Sequence, residues 1–456
     1  MSRSLLVCAT AAMVFFVTTA GGSRAASQAG ATFFEGARII TGDGSPPIER
    51  SAFVVQDGKI VVAGPHGEVT APSGSTRVKL AGKTVIPALV NLHGHVGFQR
   101  GWSYVAANYT RDNIVDHLNR YAYYGVGTIA SLGTDAGEIP RAIQRDQRAG
   151  SLGGAWLRHA GRGFAPPNAG PGFAAMRAAP YGVTTPDEAR TSVRELAGAG
   201  VDVVKIWVDD RGGTVPKLPI EIARAIIEEA HAHKLRVVAH VYYLEDAKAL
   251  ARAGIDGFAH PVRDAEVDDE LIELLRAGDI FVMANLGLAE RGIRPERPAW
   301  LDDPFLRESI DQAAATRVTD ALAKRQRTQV EQAAATYARM ARSIARLDGV
   351  GIRVLLGSDS GVQDHFMGYA EHRELALMVE AGMEPDEVLA AATGRAAAAL
   401  GFADVGTLTP GKSADFIVLN ANPLERITNT QQIAQVYLRG SPVDRAALRA
   451  SWRAGK

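Results

Sequence analysis

The stretch Thr84–Gly97, TVIPALVNLHGHVG, closes an apolar run with two histidines separated by one glycine. In a strand, residues i and i+2 point to the same face, so His93 and His95 project together from its C-terminal end. Two adjacent imidazoles can hold a divalent metal ion, or they can be core histidines satisfied by backbone groups. Four more residues bear on that choice. Lys205 lies inside the apolar run VDVVKIWVD. Burying an ammonium is costly and drives the amine toward its neutral form. A neutral amine can add carbon dioxide to become a carbamate, a two-oxygen ligand able to bridge two metal ions. The alternative is a buried lysine paired with a carboxylate such as Asp209. His240 closes RVVAH, His260 closes GFAH, and Asp359 closes RVLLGSD. Imidazoles and carboxylates together suit zinc and similar divalent ions.

These residues converge only if their strands share one sheet. The middle of the chain alternates strand-like runs (VIPALVNLHGH, VGTIASLG, GAWLRHAG, VDVVKIWVD, RVVAHVYY, GFAHPV, IFVMANLG, RVLLGSDSG) with helix-like ones. One helix start is explicit: Thr185 as N-cap, Pro186 at the first helical position and Glu188 completing a capping box. Regular strand–helix alternation implies parallel strands, and about eight repeats suit a closed (β/α)8 TIM barrel. Sites in such barrels are built at the C-terminal strand ends, where each candidate residue falls. Short alternating segments broken by Asp-Gly and Gly-Asp turns precede the barrel, and similar ones follow it. The expected organisation is a leader over 1–25, a small β-sandwich domain from 26–85 and 403–456, and a barrel over 86–402. The stretch from about Gly287 to Leu347 reads as an elaborated loop with paired helices after the seventh strand, able to cover a site. RGFAPPNAGPGF, after the third strand, reads as a lid-type loop or a rigid connection.

His231 and His233 form a second HxH pair, but at the end of the helix-like run EIARAIIEEAHAHK. On a helix, i and i+2 do not face each other, and cationic residues at a helix C-terminus need only the macrodipole. This pair also precedes its strand, so no metal is assigned to it. His117 and His372 lie in helix-like runs and read as structural. His159 and His365 are close enough to strand ends to line a pocket.

The chain has 456 residues, 46% hydrophobic and 22% charged, with formal net charge zero. Nothing in that balance points to nucleic acid or an anionic membrane. The first residues, MSRSLLVCATAAMVFFVTTAGGSRAAS, show an early arginine, an apolar run from Leu5 to Ala20 and then small residues. That is a secretory signal pattern, with cleavage expected at Ser23-Arg24-Ala25. The run is short for spanning a bilayer, which takes roughly 20 apolar residues. Cys8 is the only cysteine, so the mature protein is expected to lack disulfides and thiolate metal ligands. The location implied is secreted or periplasmic, with no membrane contact after cleavage.

With these residues in view, the chain resembles the metal-dependent amidohydrolase superfamily. The resemblance rests on His93, His95, Lys205, His240, His260 and Asp359, with KTVIPALVNLHGH leading in and VGTLTPGKSADFIVLNANP leading out. It covers nearly the whole mature chain. In the two-metal subtype, the resemblance implies that His93, His95 and Asp359 hold one divalent ion, His240 and His260 the second, and a carbamylated Lys205 both. A hydroxide shared by the metals is then the nucleophile, and Asp359 moves its proton to the leaving group. Zinc is the default metal, although manganese or cobalt would fit. Within the superfamily, the chain looks most similar to the imidazolonepropionase-like group that includes secreted Xaa-Pro dipeptidases. The one-metal deaminases tend to carry HxxE after the fifth strand, where this chain has HVYYLE with Tyr243 at the glutamate position. Asn91 also departs from the family's lead-in, which commonly has Asp there.

The expected substrate is a small dipeptide or N-acyl amino acid. Tyr242 or Tyr243 could donate a hydrogen bond to the reacting carbonyl, or pack on the barrel rim. Arg162, Arg211 and Arg263 lie in loops able to grip a carboxylate. A lactone, carbamate ester or phosphotriester would suit the same ligands. A non-catalytic binding protein on this fold is the remaining alternative, and it would be expected to have lost ligands that this chain keeps. Homo-oligomerisation is left open.

Overall fold

The computed structural model describes residues 30–101, 103–293, 297–310 and 312–454. The leader and Cys8 lie outside the described residues. Eight parallel strands form the barrel: β1 (Leu89–Gly94), β2 (Val126–Ser131), β3 (Trp156–His159), β4 (Val204–Val208), β5 (Val237–Val241), β6 (Gly257–Phe258), β7 (Phe281–Met283) and β8 (Val354–Leu355). Direct ladders join β1 to β2 to β3, and β4 through to β8. Between β3 and β4 the connection runs through Asp202 N to His159 O (2.9 Å) and a two-residue strand, Phe164–Ala165, that pairs with β4. The ring closes where Leu92 N donates to Leu356 O (3.1 Å) and Gly94 bridges Ser360. Strands covered on both faces read as unbroken apolar runs, and every residue of β1, β2 and β4 is buried.

Helices cover the outside. The helix Pro186–Ala199 starts as expected, with the Thr185–Glu188 capping box and Pro186 in its first turn, and stops at Gly200 in the left-handed conformation. The segment between β7 and β8 holds the helices Leu286–Glu290, Pro304–Arg307, Gln312–Ala323 and Arg327–Gly349. Among the described residues no helix is long and apolar enough to cross a membrane.

The terminal segments form two packed sheets. One is Lys59–Pro65, Ser51–Gln56, Thr32–Glu35 and Thr76–Lys79, in that order. The other runs Arg38–Ile39, Thr84–Pro87, Phe416–Leu419, Ile433–Leu438 and Ser441–Pro442. An aromatic core joins them: Phe34 stacks on Phe53 (4.6 Å), Phe416 meets both edge-on (5.2 and 5.3 Å), and Tyr437 stacks on Phe416 (4.6 Å). Thr84–Pro87 pairs with Phe416–Leu419 and leads directly into β1, so the sandwich is tied to the first site strand. The last helix, Arg445–Ala454, packs on the barrel instead, with Trp452 Nε1 donating to Asp116 (2.7 Å).

Gly94 is required by close approach. A Cβ there would lie 2.6 Å from Ile129 Cδ1 and 3.0 Å from the Tyr121 hydroxyl, where the ring closes. We expect Gly94→Ala to cost about 1–3 kcal/mol through overpacking. Gly198→Ala, facing open space in a helix, should be neutral or stabilising by about 0.4–1 kcal/mol. Urea unfolding midpoints check the pair, and equal losses would contradict the closure argument.

Candidate metal centre

His93 and His95 leave β1 side by side, and the loop after β8 lies against them. Asp359 N donates to His93 O (2.7 Å), and His95 N donates to Ser360 O (2.9 Å). These bonds hold Asp359 in the left-handed region (φ 56°), a conformation that costs energy outside glycine and persists where surrounding structure imposes it. Asp359 Oδ1 then lies 3.1 Å from His95 Nε2 and 3.5 Å from His93 Nε2, yet it has no hydrogen bond of good geometry. The ligand atoms of His93, His95 and Asp359 fall within 4.8 Å of one another, as a shared cation requires.

The far nitrogens set the tautomers. His93 Nδ1 faces Ala259 O (3.2 Å), and His95 Nδ1 faces Thr134 Oγ1 (3.1 Å). Asn285, at the end of β7, completes the arrangement. In the amide orientation that satisfies both its ends, it donates to Ala259 O (2.6 Å) and accepts from His93 Nδ1 (3.1 Å) and Asp359 N (3.2 Å). Such outer bonds leave both Nε2 lone pairs directed inward, as metal-binding imidazoles need.

His240 and His260 form the second pair. His240 Nε2 is bonded to Asp209 Oδ2 (3.0 Å), which turns Nδ1 toward His260 Nε2 at 2.8 Å. The rings of His93 and His260 are 6.2 Å apart, so the two groups abut. Burial lowers the pKa of His93 to about 3 and of His240 to about 4, and holds that of His260 well below the usual imidazole value. Neutral rings keep the lone pairs that a cation would take. Burial works the other way on Asp359, but His93, His95 and Lys205 outweigh it and keep the carboxylate ionised.

Lys205 is 1% exposed on β4, and its Nζ has no hydrogen-bond partner among the described residues. Asp209, the alternative partner considered from sequence, is taken by His240 instead. Burial, with help from Arg263 and against Asp359, lowers the Lys205 pKa to about 7. Its charge bears on His93, His240, His260 and Asp359. Converging lone pairs, an orphaned carboxylate oxygen and an orphaned amine are the donor set a divalent ion fits.

Not every candidate arrives at this centre. Arg263 does, with Nη2 3.1 Å from His260 Nε2 and its guanidinium over Tyr242 (5.2 Å). The Tyr243 hydroxyl instead donates to Asp210 (2.7 Å), with Lys217 over its ring. Arg162 binds Ala179 O and Pro180 O, and Arg211 binds Gly170 O and Pro171 O, so both tie down the loop after β3. His365 Nε2 meets Ser358 O (2.8 Å) and steadies the loop of Asp359. His159 accepts from Gly161 N (3.1 Å). His231 pairs with Asp256 (2.8 Å), and His372 lies between Tyr124 O and Thr430.

Sequence reasoning missed Thr134 and Asn285. Their signal was position, since each is a polar residue just past a barrel strand. It also passed over Glu371, which is wholly buried and accepts from Asn91 Nδ2 (2.6 Å), Ser358 Oγ (2.7 Å), Ser360 Oγ (2.5 Å) and Gly368 N (2.6 Å). Asn91 Oδ1 in turn accepts from His93 N (3.0 Å) and Ser358 N (3.2 Å). That explains the amide at position 91: a carboxylate could not donate to Glu371 without an added proton. The strap joins both ligand-bearing segments.

The Amidohydrolase family model matches residues 84–443, and the chain belongs to that family. Among solved structures, a Bifidobacterium longum protein assigned as a prolidase is 27% identical, with TM-score 0.74 over 93% of this chain and 100% of its own. A Xaa-Pro dipeptidase with methionine in its active site is 21% identical (TM-score 0.71, 90% and 99%), and phenylurea hydrolase B is 23% identical (TM-score 0.72, 92% and 98%). An uncharacterized Mycobacterium tuberculosis protein is 25% identical over 233 residues, 48% of this chain and 55% of its own. The match thus spans about half the length of such curated relatives.

We expect Asn91→Leu to lower both stability and metal content, since it leaves the His93 amide and Glu371 short of partners at about 1–3 kcal/mol for each unmet buried group. Urea midpoints and metal stoichiometry by mass spectrometry check this, and full metal content at an unchanged midpoint would refute the strap.

Proposed function

We propose that this chain is an exported binuclear amidohydrolase that cleaves the amide bond of a small dipeptide or N-acyl amino acid. The observation that carries the reading is the buried Lys205 amine, which has no hydrogen-bond partner among the described residues and whose charge bears on both histidine groups. In the proposal, His93, His95 and Asp359 would hold one divalent ion and His240 and His260 the other, and a carbamate on Lys205 would supply oxygen ligands. The carbamate forms when the neutral amine attacks the carbon of carbon dioxide, making one N–C bond and releasing one proton. An amine whose pKa is lowered to about 7 supplies that neutral form at physiological pH. Bound zinc would supply a water of lowered pKa and polarise the scissile carbonyl.

The chain's own residues do the rest. Asp359, ionised and held by β1, accepts the proton of the attacking water and returns it to the leaving nitrogen. Thr134, Asn285 and Asp209 orient the imidazoles. Arg263, in contact with His240 and His260 and lying over the Tyr242 ring, would grip the substrate with Tyr242 beside it. The dipeptidase-type neighbours support an amide substrate, and phenylurea hydrolase B marks how far the leaving group varies on this fold. Export rests on the leader pattern alone.

Lys205→Ala should lose at least about 100-fold in kcat/KM, an amount expected for one essential polar group at a reacting centre. Short carboxylic acids should restore part of it by replacing the carbamate oxygens. The parent enzyme is screened first on dipeptides, N-acyl amino acids, lactones and aryl esters. Turnover of lactones or esters alone would overturn the amide assignment. Full activity in Lys205→Ala would overturn the carbamate.

A further inference from the structure

The loops above His93, His95 and Asp359 meet in an aromatic cap. Phe98, three residues beyond His95, and Val362, three beyond Asp359, pack there with Met176, Tyr104, Tyr109, Phe173 and Leu288. Tyr104 lies edge-on to Phe173 (5.6 Å) and tilted to Phe98 (6.3 Å). It is carried on a short hairpin in which Gln99–Arg100 pairs with Ser103–Tyr104.

That hairpin is anchored with unusual thoroughness for a surface loop. Asn108 Nδ2 donates to Phe98 O (2.8 Å) and Ser103 O (2.9 Å), and Asn113 Nδ2 donates to Gly97 O (2.8 Å) and Gln99 O (2.9 Å). His117, structural as its helix position suggests, accepts from Gly97 N (3.0 Å) and donates to Gln99 O (2.7 Å). Both arms of the hairpin are therefore held by hydrogen bonds, and a group acting on a substrate needs such a mount.

The Tyr104 hydroxyl is buried with no hydrogen-bond partner among the described residues. Other buried phenols of this chain have one. Tyr109 donates to Asp135 (3.2 Å), Tyr121 pairs with Ser360 (2.7 Å), Tyr123 donates to Glu308 (2.5 Å) and Tyr124 to Ser309 (2.7 Å). An unmet buried hydroxyl costs about 1–3 kcal/mol, so its retention calls for a partner that arrives later. The Asp359 oxygen, three residues before Val362 of the cap, is likewise without a hydrogen bond and has such a partner in the ligands proposed above.

We propose that Tyr104 is a further catalytic residue, whose hydroxyl donates a hydrogen bond to the substrate's carbonyl oxygen as that carbon becomes tetrahedral. The inference rests on the hydrolase reading of this site, but not on which acyl bond is cut. Burial, reinforced by the charge of Asp359, raises the phenol's pKa, so it stays a donor across the working pH range. Tyr104 lies in the loop after β1, whereas Tyr242 follows β5 and Arg263 follows β6.

The test is Tyr104→Phe in the metal-loaded enzyme, which keeps the ring and its packing. We expect kcat to fall about 100-fold, as for loss of one oxyanion donor, with KM nearly unchanged. Melting temperature and metal stoichiometry should match the parent. Calorimetry provides a readout independent of turnover. A methylphosphonate dipeptide analogue, tetrahedral at phosphorus, should bind at least tenfold more weakly to Tyr104→Phe, while the planar amino-acid product binds equally to both. Parental kcat and parental phosphonate affinity would overturn the proposal, as would a loss that only tracks lost metal. If lactones rather than amides are turned over, the amide assignment falls and the same variant is compared on lactones. If nothing is hydrolysed, phosphonate affinity alone decides Tyr104.

Discussion

A primary amine held inside a closed barrel without a hydrogen-bond partner among the described residues is the constraint around which the rest of the structure is organised. Lys205 stands on β4, every residue of which is buried. Its charged form would be tolerated only beside a carboxylate or after replacement of its solvation. The carboxylate nearest in sequence, Asp209, is committed to His240. What remains in reach is Asp359, whose own charge the imidazoles also share. The amine is therefore poised near its neutral form. Removal of that arrangement would leave five polar side chains with no reason to converge.

Convergence itself depends on how the barrel is closed. The β1–β8 seam places HxH and Asp359 on adjoining segments, and backbone bonds at 2.7 and 2.9 Å lock them together. Gly94 permits the approach, and Glu371 gathers the donors of Asn91, Ser358 and Ser360 behind it. The positive φ of Asp359 is the strain this seam imposes on the ligand. The opposite side is simpler: Asp209 sets one tautomer, and two imidazoles face each other across β5 and β6. On that side the Arg263 guanidinium contacts His260 and lies over the Tyr242 ring.

The candidate ligands were legible in the sequence because strand ends of a parallel barrel are positions with a known destination. HxH, the buried lysine and the histidines closing apolar runs required only a period of two and a count of strands. His260 and Asp359 prove to lie just beyond the regular parts of β6 and β8, and Asp359 is in the left-handed region. Periodicity cannot see that difference, but it did not matter to the side-chain destination. The rejected pair, His231 and His233, was legible for the same reason, since helix geometry separates the two rings. His231 in fact serves Asp256.

The sequence by itself determined the alternation of strands and helices, the split sandwich and the identity of the groups at the strand ends, because these follow from local periodicity and residue chemistry. Only the tertiary structure decided which group meets which. Tyr243 turns to Asp210, Asp209 to His240, and Arg162 and Arg211 to loop carbonyls, because those partners are 17–41 residues away in sequence and near only after folding. The orphaned hydroxyl of Tyr104 belongs to the same class. An absent partner has no sequence pattern, since it depends on the loops after β1, β3, β7 and β8 closing over one point.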